Sequence, residues 1–483
     1  MKKTLLIAIF LLGFFLRAQE TLSGNFLFLK DQGRDLLAVK SIVIDKKPTL
    51  IGPYTGLQAV FQGPLYYYTL AIPFAFSGGD PRAIMWLMLA VSMAAIYVGY
   101  LVGKTFFSAE VGLATAFLFA VSPAAAAAAT FIWSPFFVLP LSTLCLYFLL
   151  RWIKNGHKKS FLLLAGSLGL LFHFEIAFAA PFTITTLLIA WFIARKKRFS
   201  FPFISFIGIL ILFLSPLILF DFRHDFLTTK SLLKFFSGVN QGLGGGELYS
   251  KVVYDHFVRF LLNLKATFIV EGQLGETFSF LMILAGLGYV AIGRSLIIKT
   301  LASIPLIMFV IYLAYPFQIW DWYLIGLFPV YLTLGGIFLN SLRKTWYGRV
   351  IFLLIIGSFL LSSIRRLDGL YRVPDYGGTA KIRGKIDAID TMYLDAQGNP
   401  FNLLVFTPVV LTDAYDYLLW WHGQKTYGYL PGKEKAGTLY LLIEPDPSKP
   451  WSYQGWLETV IKEGKVIDTR ELPSGFIIQK RTI

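Results

Sequence analysis

Residues 200–219 read SFPFISFIGILILFLSPLIL, a stretch of twenty residues without a charge. It follows the basic run Arg195-Lys196-Lys197-Arg198 and precedes Asp221. A helix needs roughly 20 mostly apolar residues to cross a bilayer, and short loops rich in Lys and Arg stay in the cytoplasm. The stretch therefore predicts a transmembrane helix that begins on the cytoplasmic side.

Similar apolar runs recur through the first three quarters of the chain. The composition agrees, because 56% of the 483 residues are hydrophobic and 15% are charged, against about 25% charged in soluble domains. The first run follows Lys2 and Lys3 and lacks a well-formed cleavage site, so we interpret it as an uncleaved anchor. We predict an α-helical polytopic membrane protein with about eleven spans, near 3–16, 83–103, 110–128, 132–152, 161–181, 182–194, 200–219, 277–293, 300–316, 323–341 and 348–364.

The distribution of charge supports this arrangement. The chain has a net charge of +16. With the amino terminus inside, the predicted inner loops carry sixteen Lys and Arg residues and one acid, Glu110, and the remainder of the chain is nearly balanced. The surplus is therefore an orientation signal rather than a nucleic-acid-binding surface. It predicts a protein of the plasma (inner) membrane with a cytoplasmic amino terminus.

On this map, residues 1–364 form the transmembrane domain, with outer loops at about 19–82 and 221–276. Residues 64–77 are apolar but short and rich in tyrosine, which is typical of a helix lying along the membrane surface. Residues 365–483 are predicted to form a small extracytoplasmic α/β domain. Its predicted elements are strands at 402–407, 438–444 and 475–480 and helices at 412–422 and 454–463.

The first outer loop contains a dense charged cluster. Asp31, Arg34 and Asp35 lie within five residues, a composition that can supply a general base and a phosphate clamp together. A solvated, helix-capping stretch is the alternative. Further along, Tyr66 belongs to the run Gly63-Pro64-Leu65-Tyr66-Tyr67-Tyr68, where stacking on a sugar and membrane-interface anchoring are equally good interpretations.

In their order and placement, these motifs resemble the first outer loop of the C-type glycosyltransferases, especially the family 39 enzymes. Those include protein O-mannosyltransferases and the aminoarabinose transferases of lipid A. The likeness extends over residues 1–364, although each motif is short. It includes Ser122-Pro123, Trp133-Ser134-Pro135-Phe136, Phe220-Asp221-Phe222-Arg223-His224-Asp225 and Asp321-Trp322-Tyr323-Leu324 before Pro329.

The resemblance implies inverting transfer of a sugar from a polyprenyl-phosphate donor to a hydroxyl of a lipid, glycan or protein acceptor outside the cytoplasm. Asp31 matches the position of the family's catalytic base. Arg34, Arg223 and His224 are candidates for binding the donor phosphate, and a salt bridge to Asp31 or Asp35 is the alternative for Arg34. Further substrate-binding candidates are Asp35, Tyr66, His173, Glu175, Asp221 and Asp321.

One departure concerns a second acid that some relatives carry between the third and fourth spans. The corresponding segment, roughly 122–134, contains no acid. Glu175 or Asp221 can replace it. His173 and Glu175 lie two positions apart, so they point in different directions unless the helix is broken between them. His173 as a hydrogen-bonded packing residue is the alternative.

Several questions stay open at this point. The five histidines show no metal-ligand spacing, and a divalent cation held by acids such as Asp31 and Asp221 is neither supported nor excluded. The glycine-rich residues 241–247 are interpreted as a flexible loop or linker. The aromatic residues 415–422 suit a domain core or membrane docking better than sugar stacking. A transporter or flippase and a non-catalytic assembly protein are the competing functions.

Overall fold

The computed structural model describes residues 2–237, 249–269, 276–373, 375, 377–408, 410–446, 448–449 and 451–483, so the glycine-rich residues 241–247 lie outside it. Two 3₁₀ helices, Ser134–Phe137 and Asp321–Leu327, directly precede the α-helices that begin at Val138 and Phe328. In chain order the helices before residue 373 are α1 (Lys2–Phe15), α2 (Gln19–Ser23), α3 (Lys30–Val43), α4 (Leu65–Ser77), α5 (Pro81–Phe106), α6 (Ala109–Val121), α7 (Pro123–Ala127), α8 (Val138–Asn155), α9 (Lys158–Leu171), α10 (Ile176–Lys197), α11 (Phe203–Arg223), α12 (Leu227–Phe236), α13 (Tyr249–Phe268), α14 (Glu276–Ala291), α15 (Leu296–Tyr312), α16 (Phe328–Leu342) and α17 (Trp346–Arg372).

The prediction of a multi-pass membrane protein is confirmed, and the count of eleven full spans is confirmed in part. Each predicted span contains helix. Within the described residues, six helical segments are long and apolar enough to cross a membrane: Pro81–Phe106, Ser134–Asn155, Ile176–Lys197, Phe203–Arg223, Asp321–Leu342 and Trp346–Arg372. Three further apolar helices, Ala109–Val121, Ser279–Ala291 and Leu296–Tyr312, are shorter. The helix α17 continues past residue 364, where the transmembrane domain was predicted to end.

The predicted division into spans 161–181 and 182–194 is wrong. The chain breaks instead at residues 172–175, between α9 and α10. Glu175 has extended backbone angles, and its carboxylate accepts the Ala177 amide at 3.1 Å, which caps the start of α10. The Gln62 side-chain oxygen accepts a hydrogen bond from the neighbouring amide, that of Ile176, at 2.7 Å. A polar cap in an otherwise apolar run thus decides where one helix ends and the next begins.

The helix α6 lies inside the helical bundle, and small residues allow its neighbours to approach it closely. A Cβ added at Gly103 in α5 would lie 2.7 Å from the Cα of Gly112 in α6. A Cβ added at Gly336 in α16 would lie 2.3 Å from the Thr115 hydroxyl. Close backbone contact at small residues is a typical way for helices to associate in membranes. Because α6 is enclosed by other helices, its short length does not have to match the full bilayer.

Arg17 joins the end of α1 to the end of α6. Its guanidinium donates to the carbonyls of Phe119 and Ala120 at 2.6 and 2.7 Å, and to the Ser92 hydroxyl at 3.0 Å. The side chain is 1% exposed. The two carbonyls belong to the last turn of α6, where a helix lacks amide partners and where a positive charge is favourable.

We expect the substitution Arg17→Met to lower the free energy of unfolding by about 2–4 kcal/mol, because it leaves buried carbonyls without donors. Denaturant titration of the purified protein in detergent measures this difference. Lys3→Met, at the exposed end of the same helix, is the control and should change stability by less than about 0.5 kcal/mol. Equal stabilities for Arg17→Met and the wild type would contradict the assigned role.

The amino terminus and the carboxyl-terminal domain lie at opposite ends of α1. Lys2 pairs with Glu110 at 2.7 Å, at the start of α6. At the other end, the Phe28 amide donates to the Ala380 carbonyl at 3.0 Å. The Lys154 ammonium donates to the carbonyl of Thr105, near the end of α5. The loop at 105–110 and the basic residue Lys154 therefore lie near the amino terminus, as the charge distribution predicts. Which face of a cell membrane this is stays a prediction.

The elements of the carboxyl-terminal domain are α18 (Ile382–Ala396), β1 (Asn402–Phe406), α19 (Asp413–Leu418), α20 (Gln424–Tyr427), β2 (Thr438–Ile443), α21 (Ser452–Trp456), β3 (Lys465–Glu471) and β4 (Ile477–Thr482), with π-helical turns at Leu419–Gly423 and Leu457–Ile461. The strands form a four-stranded sheet in the order β1-β2-β4-β3, in which β1 and β2 are parallel and the other pairs are antiparallel. The predicted α/β character and the three predicted strands are confirmed. Helix α18 and strand β3 were not predicted from the sequence, and β3 is an exposed edge strand with four charged residues among seven.

Candidate functional site

The charged cluster of the first outer loop lies on one face of α3. The Arg34 guanidinium contacts the Asp31 carboxylate at 3.0 Å and the Asp35 carboxylate at 2.8 Å. The Asp31 side chain is 41% exposed, whereas that of Asp35 is 2% exposed. Both the predicted cluster and the alternative salt bridge are therefore present. With both acids ionised the three groups carry a net negative charge, which suits a proton acceptor better than a phosphate clamp.

Asp35 is enclosed by tyrosines. The Tyr67 hydroxyl donates to its carboxylate at 3.2 Å. The Tyr66 hydroxyl is buried and makes no hydrogen bond within the described residues. Burial raises the pKa of Asp35 to about 6, although the neighbouring Arg34 opposes the change. Tyr66 is thus part of a buried wall beside the acids and is not available for stacking on a sugar from this position.

This raised pKa predicts a pH-dependent stability. Because the folded-state pKa exceeds the unfolded value, the protonated form favours folding, and that contribution is lost as the pH rises through about 6. Between pH 4 and pH 8 we expect the wild type to lose about 2 kcal/mol more unfolding free energy than Asp35→Asn. Denaturant titrations of both proteins across this range provide the measurement; parallel curves would show that Asp35 ionises normally.

A loop after α3 connects this cluster to a large cavity. The Tyr54 ring lies 5.7 Å from the Arg34 guanidinium, and Gly56, Leu57 and Gln58 line the cavity. The cavity has a volume of about 1050 Å³. A volume near 1000 Å³ is at the upper end for small-molecule sites, so it has room for a sugar phosphate together with part of an acceptor.

The most informative wall of this cavity was missed by the sequence analysis. Lys251, Asp255 and Arg259 line it from α13, together with the buried His256. The Arg259 guanidinium pairs with Asp321 at 2.7 Å, and the Asp321 side chain is 71% exposed. The three charged positions are spaced by four residues, which places them on one helix face. That spacing is visible in the sequence and was the available signal.

Asp221 caps α12, the helix from which Ser231 lines the cavity. Its carboxylate accepts the amides of Thr228 and Thr229 at 2.7 and 3.2 Å, near the start of α12. From α12, Thr228 and Ser231 donate to the carbonyls of Ala59 and Gln58. The acid therefore fixes the helix that holds the cavity-lining loop in place.

His173 and Glu175 lie at the break between α9 and α10. Their side chains therefore do not have to point in opposite directions, as they would within one helix. The Leu65 amide donates to Nδ1 of His173 at 3.4 Å, which leaves Nε2 to donate to the Phe213 carbonyl at 3.0 Å. The interpretation of His173 as a hydrogen-bonded packing residue fits this geometry. The Tyr312 hydroxyl donates to the carbonyl of Ala177, whose amide Glu175 caps, and lies 3.3 Å from the carbonyl of Tyr323, a residue of the cavity wall. Glu175 therefore lies close behind that wall.

The remaining candidates lie apart from the cluster on α3. Arg223 and His224 are exposed at the end of α11, and Nδ1 of His224 lies 2.8 Å from the Phe220 carbonyl. Within the described ranges, no three side chains among His, Cys, Asp and Glu gather in a metal-binding arrangement. Asp31 and Asp221, the acids considered for a cation, make separate contacts to Arg34 and to α12.

Comparison with known proteins bears on this arrangement directly. Residues 61–220 match the family described as dolichyl-phosphate-mannose-protein mannosyltransferase. The resemblance to the C-type glycosyltransferases is confirmed. The matched third of the chain contains Tyr66 and the break at His173 and Glu175, but it excludes α3 and α13. No curated protein matches the sequence.

The similarity to solved structures extends over nearly the whole chain. ArnT from Cupriavidus metallidurans bound to undecaprenyl phosphate superposes with a TM-score of 0.62 at 12% identity, covering 99% of this chain and 97% of that one. An oligosaccharyltransferase from Archaeoglobus fulgidus in complex with Zn and sulfate has a TM-score of 0.53 at 14% identity, with 98% and 72% covered. The archaeal oligosaccharyltransferase AglB, in complex with an inhibitory peptide and a dolichol-phosphate, has a TM-score of 0.52 at 12% identity, with 99% and 74% covered. The chain therefore has an ArnT-like fold.

Proposed function

We propose that the protein is an inverting glycosyltransferase that moves a sugar from a polyprenyl-phosphate donor to an acceptor hydroxyl on the outer face of the membrane. The observation that carries the proposal is the position of Asp31. It is a partly exposed carboxylate in an ArnT-like fold, on a helix that the Tyr54 loop connects to a cavity lined by cationic side chains. The acceptor is a lipid, a glycan or a protein.

In this mechanism Asp31 is the general base. The acceptor oxygen forms a bond to the anomeric carbon while the bond from that carbon to the phosphate oxygen breaks. The hydroxyl proton passes to the Asp31 carboxylate, and the bonding electrons leave with the polyprenyl phosphate. A single displacement of this kind inverts the anomeric centre and needs one base and a stabilised leaving group. Arg34 holds the carboxylate in place through their 3.0 Å contact.

The leaving phosphate is assigned to Arg259, with Lys251 on the same helix face. Both line the cavity, and Arg259 pairs with Asp321, whose side chain is largely exposed. A guanidinium can bind a phosphate through two parallel hydrogen bonds. Because an exposed salt bridge contributes little free energy, Arg259 can give up its contact with Asp321 when the phosphate binds. Arg34 is less suitable for binding the phosphate than the sequence alone suggested, since its guanidinium already pairs with the carboxylates of Asp31 and Asp35.

The prenyl chain of the donor requires an apolar surface. A second cavity of about 380 Å³ lies among α6, α14, α16 and α17. Its walls include Leu118, Met282, Phe338 and Ile355. The existence of this cavity supports a lipid-linked donor over a water-soluble one, because a soluble sugar nucleotide has no use for such a surface.

The deciding experiment compares glycolipids and glycans, by mass spectrometry, from cells with and without the protein. It is followed by an assay of purified protein in nanodiscs with radiolabelled polyprenyl-phosphate sugars. We expect one sugar class to be missing from the deletion strain and transferred by the wild-type protein. Dissipation of a solute gradient without transfer would favour a transporter or flippase. If a variant in which Asp31, Arg34 and Asp221 are all neutralised still gives cells the wild-type phenotype, a non-catalytic assembly protein would be favoured.

A further inference from the structure

The carboxyl-terminal domain touches α3 at Gly33, which on an α-helix points away from the face of Asp31. Gly33 lies between Asp31 and Arg34 in the sequence, and a Cβ added there would lie 2.3 Å from the Ala414 nitrogen and 2.4 Å from the Asp413 carbonyl carbon. Such distances require the backbones to move apart. A glycine inside a helix costs about 1 kcal/mol relative to alanine. The close approach of α19 explains why this position is a glycine.

The helix α19 is in turn fixed by a buried polar triad. Tyr415, the residue after Ala414, receives a hydrogen bond on its hydroxyl from the Lys385 ammonium at 2.9 Å. Lys385 also pairs with Glu444 at 2.9 Å, and the Tyr415 hydroxyl donates to the same carboxylate. The Lys385 side chain is 1% exposed. Groups so deeply buried tolerate little displacement, because losing one partner leaves another polar group unsatisfied.

The triad also ties α19 to the sheet. Lys385 lies on α18, and Glu444 directly follows β2, with its amide donating to the Phe406 carbonyl at the end of β1. A continuous set of contacts thus runs from the ends of two parallel strands, through Lys385 and Tyr415, to the backbone of α3.

A neighbouring face of α3, about 100° around the helix from Gly33, is attached to the helical bundle. The Gln32 side chain donates to the Ile132 carbonyl at 2.9 Å. The domain also contacts the end of the first outer loop. Trp420 stacks on Phe74 with ring centroids 6.1 Å apart, and the Tyr417 hydroxyl donates to the Gly79 carbonyl. The aromatic segment 415–422 therefore contacts the first outer loop, and its buried residues Tyr415, Tyr417 and Trp421 belong to the core, as its composition favoured. The helix α3 is thus held by both the domain and the bundle.

We propose that the carboxyl-terminal domain positions the catalytic base: the contact between Gly33 and Ala414 sets the place of α3, and Lys385, Tyr415 and Glu444 are positioning residues that hold α19 against it. This inference rests on the proposed function for its catalytic consequence. Its mechanical part, the restraint of α3 by the triad, does not depend on any activity.

The test uses two variants of the full-length protein in nanodiscs. Gly33→Ala should lower kcat for sugar transfer about 10- to 100-fold, the scale expected when a reacting group is displaced by about 1 Å, with KM for the donor changed less than about threefold. Tyr415→Phe, which keeps the ring, should lower kcat about three- to tenfold and speed amide hydrogen exchange in residues 30–43. Both variants should leave amide hydrogen exchange in residues 81–106 unchanged.

Matched controls come from the same domain. Gly455→Ala places a Cβ in open space, and Tyr440→Phe removes a hydroxyl that is bonded to Asp395 instead of the triad. Both should retain wild-type kcat. The proposal is overturned if Gly33→Ala folds and keeps kcat within twofold of the wild type, or if Tyr415→Phe leaves exchange in α3 unchanged. A wild-type protein that transfers no sugar would instead contradict the proposed function, and the exchange measurement would still decide the restraint of α3.

Discussion

Replacement of Asp31 by asparagine is expected to lower the rate of sugar transfer by about 100- to 10,000-fold, the range that a general base contributes. The substitution keeps the size of the side chain and its exposure at the start of α3. It removes the ability to accept a proton from the acceptor hydroxyl, together with the charge that pairs with Arg34. Donor binding should persist, because the phosphate is assigned to Arg259 in the cavity wall. Single-turnover transfer and equilibrium binding of a polyprenyl phosphate measure the two effects separately.

Asp45→Asn is the matched control for this substitution. Asp45 lies just beyond the other end of α3 and pairs with Lys40 at 3.1 Å. It shares the loop and the charge change with Asp31 but not the proposed role, so its transfer rate should stay within about twofold of the wild type. If both variants lose transfer equally, the loss reflects the loop's general electrostatics; if Asp31→Asn remains active, the base lies elsewhere.

The second large effect is expected at Arg259. Arg259→Gln should weaken donor binding by about 10- to 100-fold, since a charge-assisted hydrogen bond to phosphate contributes about 1.5–3 kcal/mol. The loss should appear in KM for the donor and in the dissociation constant of the free polyprenyl phosphate. It should also flatten the dependence of binding on ionic strength, because one cation is removed from the cavity.

Lys265→Gln provides the comparison for Arg259→Gln. Lys265 lies on the same helix and pairs with Glu276, and it is not among the residues that line the large cavity. Its removal should leave donor affinity within about twofold of the wild type. An unchanged affinity in Arg259→Gln would move the phosphate site to another group, with Arg34 the first alternative.

The helical part of the fold was predictable because each span needs a long apolar run, and such runs are visible without knowledge of tertiary contacts. The break at residues 172–175 was not, since it depends on Gln62, more than a hundred residues earlier, accepting the Ile176 amide. Similarly, β3 was missed because an exposed edge strand needs no apolar face. Local patterns predict elements; distant side chains decide where they end.

The candidate site divides in the same way. Asp31, Arg34 and Asp35 were found because their proximity is local to one helix. Lys251, Asp255 and Arg259 were overlooked, although their four-residue spacing is equally local, because α13 was treated as part of a loop. The capping of α12 by Asp221 was not predictable for a tertiary reason: it bears on the cavity only through the contacts of Thr228 and Ser231 with the first outer loop.

The pairing of Arg17 with the last turn of α6 also sets an order of events during synthesis. Arg17 and its acceptor Ala120 are 103 residues apart in the chain. At about 5–20 residues per second, α1 waits on the order of ten seconds in the membrane before its partner carbonyls exist. During that interval the guanidinium remains in the interfacial water and headgroups. Helix α1 is therefore among those that reach their final place only after later helices have been made.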